Sequence, residues 1–512
     1  MKKDFPGKIK LDRTRALIKT LPEYHLSVQK TSLKQETASG IVWNFTELLL
    51  RRGVGGLITI VLAWFLSPEE FGLIAMMAVF LSLSNVLVDA GFSQSLIRSM
   101  NVTEREYSTA FYSNIILAFI VYGLLFIGAP FIADFYEQPD LVLLIRVTGL
   151  AIIFNSFAIV QRAVLSRELK FKLQLQVSFP AALVSGTVAI LLAYAEFGVW
   201  ALVVQILAQA TLNTALYWRL KLWRPKLLFG WTEFKKLSAF GGYLMLNGIT
   251  TVPIRHMYVI VIAKLFTAPI AGLYFFAEKI RDLMIQQLVS SIQAVTYPAL
   301  ARLKNQPEKL KNGYRQVIAV MTFLMFPVLI FLAVFIEIIF RLLVPEVWWS
   351  AAVYLQLMCI ASLLYPLHAT NLNILKIKDR ADLVFYLGLF KKTVAIVIFF
   401  ISYRFGVIGI LLGQIISSVL AYLPNSYFSK QLIDYSIKEQ LEDFMPSLLL
   451  AVSIGSCMYY LKSWLVWPEI IVFFVLGSVG VISYLMCAWL FKLPALEMVR
   501  SLMKQRMKGK SG

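Results

Sequence analysis

The sequence predicts an all-α polytopic membrane protein: about fourteen transmembrane helices, arranged as two pseudo-symmetric six-helix lobes plus two C-terminal helices. Three observations carry this: long apolar runs, the placement of the basic residues, and an internal repeat. Of 512 residues, 59% are hydrophobic and only 15% charged, with a mean hydropathy of +0.72. Soluble chains carry about a quarter charged residues, so the main solvent here is lipid. A helix needs about 20 mostly apolar residues to cross the hydrocarbon core. Such runs centre near residues 55, 83, 118, 152, 186, 209, 252, 284, 328, 362, 391, 417, 453 and 480. None alternates strongly with the two-residue period of a barrel strand.

The net charge of +20 invites a nucleic-acid reading, and the placement of the charge argues against it. With the N-terminus inside, 37 of the 49 Lys and Arg fall in cytoplasmic segments, and only Lys264, Arg341, Arg404 and Lys462 in outer loops. That is a positive-inside bias. It places both termini in the cytoplasm and requires an even number of spans. The excess charge is then a topological signal that also attracts anionic lipid heads, and no nucleic-acid partner is expected. Residues 1–37 hold nine Lys and Arg and no apolar core, so they read as a basic cytoplasmic tail rather than a signal peptide. Cys359, Cys457 and Cys487 all lie in predicted spans, as packing residues rather than a disulfide or metal set.

The repeat sets the domain organisation. Phe197-Gly198-Val199-Trp200-Ala201-Leu202 returns as Phe405-Gly406-Val407-Ile408-Gly409-Ile410, and Ser67-Pro68-Glu69-Glu70-Phe71-Gly72-Leu73 as Thr267-Ala268-Pro269-Ile270-Ala271-Gly272-Leu273. Two matches at nearly one offset predict duplicated lobes at 38–219 (helices 1–6) and 238–429 (helices 7–12). An interfacial cytoplasmic linker (220–237) joins them, rich in Trp, Phe and cations. A cytoplasmic loop (430–444), two further helices (445–491) and a basic cytoplasmic tail (492–512) complete the chain. An even number of spans separates the copies, so the repeats are parallel, and transporters often place the substrate path between such halves. Trp348, Trp349, Trp464 and Trp467 fall at predicted outer boundaries, where a belt of aromatics is expected.

Charges at bilayer depth carry the functional expectation. The cations are Arg51, Arg52, Arg146, Arg255, Lys279, Arg281, Lys391 and Lys392; the anions are Glu47, Asp89, Glu278, Asp282 and Glu337. Each costs about 2.5–3.5 kcal/mol facing lipid, so they must face protein, water or a polar ligand. Spacing supports this. Glu47 and Arg51 are four apart and share a helix face, as do Ser82, Asn85, Asp89 and Ser93; Tyr243, Asn247, Thr251 and Arg255; and Glu278, Asp282, Gln286 and Gln293. The simplest geometry is a water-filled cleft lined by helices 1, 2, 7 and 8. Structural pairing that holds the bundle together is the competing reading for Glu47–Arg51 and for Glu278, Arg281 and Asp282. Lys391 and Lys392 lie outside the four cleft helices and have no assigned role. An arginine fork suits phosphate oxygens, so a cleft with Arg51, Arg52, Arg255, Lys279 and Arg281 as cations would hold a diphosphate. Glu47, Asn85, Asp89, Asn247, Glu278 and Asp282 would supply polar contacts or ion coupling. Pro253, Pro327 and Pro366 interrupt spans as kinks or hinges.

No Gly-x-x-x-x-Gly-Lys-Ser/Thr loop occurs, and His25, His256 and His368 lack metal-ligand spacing. No cofactor or metal is expected, transport running on an H+ or Na+ gradient or on the substrate's own. A membrane polymerase or ligase, one alternative, generally needs a sizeable outer loop, and none here exceeds about fifteen residues. A cation-coupled multidrug exporter, the other, should have an acidic cleft, whereas cations outnumber anions here.

Trp43-Asn44-Phe45-Thr46-Glu47, Leu66-Ser67-Pro68-Glu69-Glu70-Phe71-Gly72, Asp89-Ala90-Gly91-Phe92-Ser93-Gln94-Ser95-Leu96-Ile97 and Arg162-Ala163-Val164-Leu165-Ser166-Arg167-Glu168-Leu169-Lys170-Phe171 together resemble the Wzx-type oligosaccharide flippases. The similarity is to the lipopolysaccharide or colanic-acid export branch of the multidrug/oligosaccharidyl-lipid/polysaccharide superfamily. It implies a V of two six-helix lobes plus two helices, in a bacterial inner (plasma) membrane. It implies no enzymatic activity, but alternating access that carries undecaprenyl-diphosphate-linked oligosaccharide units to the outer leaflet for O-antigen or exopolysaccharide synthesis. Cavity arginines near the start of each lobe would hold the diphosphate, with Arg51, Arg52 and Arg255 the matching positions. Expected partners are the lipid-linked oligosaccharide, membrane lipid, and a polysaccharide polymerase with chain-length proteins; the chain itself is expected to be a monomer.

Overall fold

The computed structural model describes residue 50 and residues 53–99 and 101–498, apart from the side chains of nine helical residues, Gln286 among them. Every regular element among these residues is a helix. In chain order they are α1 (Gly53–Leu62), α2 (Pro68–Asp89), α3 (Phe92–Arg98), α4 (Glu104–Tyr136), α5 (Leu141–Arg167), α6 (Phe171–Tyr194), α7 (Val199–Arg219), α8 (Trp231–Arg255) and α9 (Met257–Leu265). There follow α10 (Ala268–Ala301), α11 (Pro307–Leu343), α12 (Ala351–Ala361), α13 (Tyr365–Ile377), α14 (Ala381–Ser402), α15 (Gly406–Ile433), α16 (Ile437–Trp464) and α17 (Glu469–Leu490). By length and composition, nine helical stretches among the described residues could cross a membrane, or eleven when two bent pairs each count as one span. The expected fourteen exceeds this count. The stretch 382–433 counts once although it holds both α14 and α15, and α10 is not counted, its first half being charged and its second half rich in Gln, Ser and Thr.

Local chemistry sets the helix ends. At α2, Ser67 accepts from the Glu70 amide while the Glu70 carboxylate accepts from the Ser67 amide, with Pro68 in the first turn; Thr103 and Glu106 do the same at α4, and Ser436 and Glu439 at α16. These reciprocal bonds satisfy amides that have no partner within the helix. The two repeated Phe-Gly loops behave alike. Gly198 and Gly406 both take positive φ (58° and 74°), a conformation glycine adopts without penalty, and each opens a long helix.

Helices α2–α7 pack mainly among themselves, as do α10–α15, with α16 and α17 laid against α11. α2 is the pillar between the two groups. At its first turn, a side chain on Gly72 would overlap the Ala268 carbonyl, and one on Gly272 would overlap that of Pro68. This contact is reciprocal, as expected when equivalent segments of a repeat meet across an approximate two-fold axis. The absence of Cβ atoms lets the α2 and α10 backbones touch. At the other end of α2, Gly91 (φ +70°) lies against Gly241 of α8 in the same manner. The groups are thus closed against each other at the far end, near Trp348, while at the linker end, near residues 220–230, α8 packs against α2, α3 and α4.

The far end corrects one expectation. Trp348 is not a belt residue but is fully buried against Phe71 and Phe276, itself packed on Phe340, and donates its indole N–H to the Ala63 carbonyl at 2.9 Å. Its apolar neighbours are protein rather than lipid, a distinction hydropathy does not make. Trp464 and Trp467 are exposed. At the linker end, Trp223 is buried and tied to Glu104, and Gly230 donates to Thr109. Leu227, Phe229 and Trp231 stay exposed. Lys236 bridges to Glu106 of α4 at 2.6 Å.

Candidate functional site

Among the described residues, two polar chambers flank α2 and α10. The first lies between α2, α3 and α5. It has a volume of about 510 Å³ and is lined by Asn85, Asp89, Ser93, Gln94, Asn155, Arg162 and Ser166. The second, of about 590 Å³, is lined by Arg255 and Tyr258 at the α8–α9 break, by Tyr274, Glu278, Arg281, Asp282 and Gln293 of α10, and by Ser362, Tyr365 and Gln414. The glycine contacts of α2 with α10 and α8 leave no room for a shared space at those two levels.

The second chamber owes its shape to broken helices. α8 and α9 meet at 44°, just after Pro253, and the span of residues 346–377 bends by 40° ahead of Pro366. A proline interior to a helix removes one ladder hydrogen bond and crowds the preceding turn. The break leaves Arg255 at a helix end, side chain exposed, facing the cavity. No carboxylate lies within ion-pair distance of it among the described residues. Arg281 is different. Its guanidinium donates to Asp282 at 2.7 Å and to Glu278 at 3.3 Å. Two carboxylates around one guanidinium, all at bilayer depth, lower the cost of each charge. The chamber wall is completed by Gln414, which donates to the buried Tyr274 hydroxyl at 2.8 Å.

The expected residues therefore divide. Arg255, Arg281, Glu278 and Asp282 share the second chamber; Asn85 and Asp89 line the first. Two residues do not reach either. Lys279 lies on another face of α10, its ammonium 5.9 Å from the Phe275 ring, because one residue along a helix turns the side chain by about 100°. Asn247 is exposed on α8 outside both chambers; with the exposed Tyr243 it stands two and three turns before Arg255 on the same face. Among the described residues the second chamber holds two cations, Arg255 and Arg281, and two anions, Glu278 and Asp282. Glu47, Arg51 and Arg52 lie outside the described residues. Ser362, Tyr365 and Gln414 were not expected, nor was Asn155. They come from helices 4, 10 and 12, and only the tertiary fold brings them to the chambers. Arg162 stood in a quoted motif without a role.

This arrangement is that of a helical membrane transporter: broken helices around charged chambers, in two groups that meet along α2 and α10. The fold agrees. It matches the lipid II flippase MurJ in an inward closed conformation, with a TM-score of 0.71 at 14% identity, covering 88% of this chain and 98% of that one. It also matches an inward-facing multidrug resistance transporter of the MATE family, with a TM-score of 0.59 at 14% identity over 77% and 99%. The chain belongs to the polysaccharide biosynthesis protein family, whose model matches residues 61–353. Among its relatives, the lipopolysaccharide biosynthesis protein WzxC of Escherichia coli is 27% identical over 402 residues, covering 76% of this chain and 81% of the relative. The succinoglycan biosynthesis transport protein ExoT of Rhizobium meliloti is 23% identical over 331 residues, 65% and 67% of the two. The chain is a multi-pass membrane transporter rather than an enzyme.

Proposed function

We propose that this protein flips a polyprenyl-diphosphate-linked oligosaccharide repeat unit from the inner to the outer leaflet of the bacterial inner membrane, both termini cytoplasmic, for cell-surface polysaccharide synthesis. The chain divides into two duplicated lobes, 38–219 and 238–429, that rock about the α2–α10 contact. The carrying observation is Arg255: a cation aimed into a chamber of about 590 Å³, without a carboxylate partner among the described residues. A guanidinium fork in such a place recruits an anion, and a diphosphate offers the matching oxygens. Arg281 differs in that Glu278 and Asp282 already use its donors; it shapes the chamber. The polar face of α8, from Tyr243 through Asn247 to Arg255, provides a path along which a head group travels. Support comes from the family match and from WzxC and ExoT, whose names place them in polysaccharide biosynthesis. Coupling to H+ or Na+, and handover to a polymerase with chain-length proteins, complete the proposal.

The test is Arg255→Ala beside Arg255→Lys, in cells and in nanodiscs. Charge-assisted hydrogen bonds contribute about 1.5–3 kcal/mol. The alanine variant should therefore bind undecaprenyl diphosphate about tenfold or more weakly and lose polysaccharide export, with normal membrane insertion. Lysine should restore part of both. Full export by Arg255→Ala would refute the diphosphate role.

A further inference from the structure

The first chamber has a different chemistry. We infer that it is a binding site for neutral sugar rings, reading the carbohydrate of the transported unit while Arg255 holds its diphosphate; the carbohydrate's source rests on the flippase reading, but the site's chemistry does not. Three helices bring its polar groups together. Asp89, at the last turn of α2, accepts from the Ser93 amide at 3.2 Å and the Ser93 hydroxyl at 2.8 Å, so each carboxylate oxygen keeps a lone pair. Asn85 spends its N–H on the Leu81 carbonyl at 2.8 Å, which leaves its carbonyl oxygen to the chamber. Asn155 and Gln94 have no side-chain hydrogen bond among the described residues. Arg162, across the chamber, has no carboxylate within ion-pair distance among them and rests 6.0 Å from the Tyr217 ring.

Charge selects the occupant. Carboxylate and guanidinium stand on the same chamber without touching, so the space between them has no net charge. A phosphate would meet the Asp89 carboxylate; an organic cation would meet Arg162. Hydroxyl groups, each a donor and an acceptor, satisfy carboxylate, amide and guanidinium at once. A chamber of about 510 Å³ falls in the range of small-molecule sites. Ile97, Ile159 and Ala163 supply an apolar wall of the kind that packs against the C–H face of a pyranose.

The experiment uses the full-length protein in nanodiscs, with saturation-transfer NMR on free hexoses, N-acetylhexosamines and hexuronates, and inorganic pyrophosphate as a parallel probe. Wild type should show saturable binding of a neutral sugar. Asp89→Asn and Asn155→Leu, both close to isosteric, should weaken it about tenfold, with pyrophosphate binding unchanged within about twofold. Unchanged melting verifies folding. No saturable neutral-sugar binding, equal binding by both variants and wild type, or preferential hexuronate binding lost on Arg162→Gln would each overturn the assignment. If Arg255→Ala leaves pyrophosphate binding intact while the sugar result holds, the diphosphate role fails and the sugar site stands.

Discussion

The two chambers hold similar groups and use them oppositely. In the second, Arg281 lies within 3.3 Å of both Glu278 and Asp282, and its guanidinium is taken up by these two carboxylates inside the protein. In the first, Asp89 and Arg162 line one space without forming an ion pair. Paired charges at bilayer depth belong to the fold; charges held apart around a space are available to a ligand. By the same measure Arg255 belongs with Arg162 rather than with its neighbour Arg281.

The sharpest way to break this contrast is to remove each arginine. Arg281→Leu strands two carboxylates near bilayer depth and should cost about 3–5 kcal/mol, read as a large fall in melting temperature in detergent. Arg162→Leu should cost under about 1 kcal/mol, having no ion pair to lose. Equal losses would erase the distinction. Next in size are the glycine contacts. Gly272→Leu wedges the far end, within two turns of Tyr274 and Glu278, while Gly241→Leu wedges the linker end against Gly91, between Asp89 and Ser93. Each overpacking should cost about 1–3 kcal/mol. Gly241→Leu should weaken sugar binding with little change in pyrophosphate binding, and Gly272→Leu the reverse; identical effects on both probes would show that the chambers are not independent.

Much of this was legible in the sequence, for definable reasons. Spans follow from length and composition. The repeat was visible because Phe-Gly loops need glycine at positive φ and because Gly72 and Gly272 must let two backbones meet; both leave glycine at fixed places. The i, i+4 spacing brought Glu278 and Asp282 to one face with Arg281 beside it. What stayed hidden depends on distance across the fold. Asn155, Ser362, Tyr365 and Gln414 carry no charge, so nothing in their residue type marks them as facing a chamber rather than a neighbouring helix. Trp348 read as a boundary aromatic because hydropathy is blind to whether the apolar neighbour is lipid or Phe276. Lys279, one residue from Glu278, turned to another face.

The smallest expected effect is at the far end. The Lys264 ammonium, hydrogen-bonded to Glu137 at 2.7 Å, holds that loop carboxyl below its ordinary pKa. A depressed folded pKa gives stability that is present above the unfolded value, about 4.3, and lost as pH falls through the folded one. Glu137→Gln should therefore melt slightly below wild type at neutral pH, and the gap should close in acid. Because the pair is largely exposed, high salt should shrink it too. A gap that widened in acid would show the bridge has the wrong sign.

The most direct test of the account is transport itself. Purified protein in liposomes, given a polyprenyl-diphosphate oligosaccharide labelled on its sugar, should move the label across the bilayer. Arg255→Ala should abolish the movement, and Arg162→Leu should slow it. Transfer by the Arg255→Ala protein at the wild-type rate would contradict the claim that an unpaired arginine at the α8–α9 break carries the diphosphate.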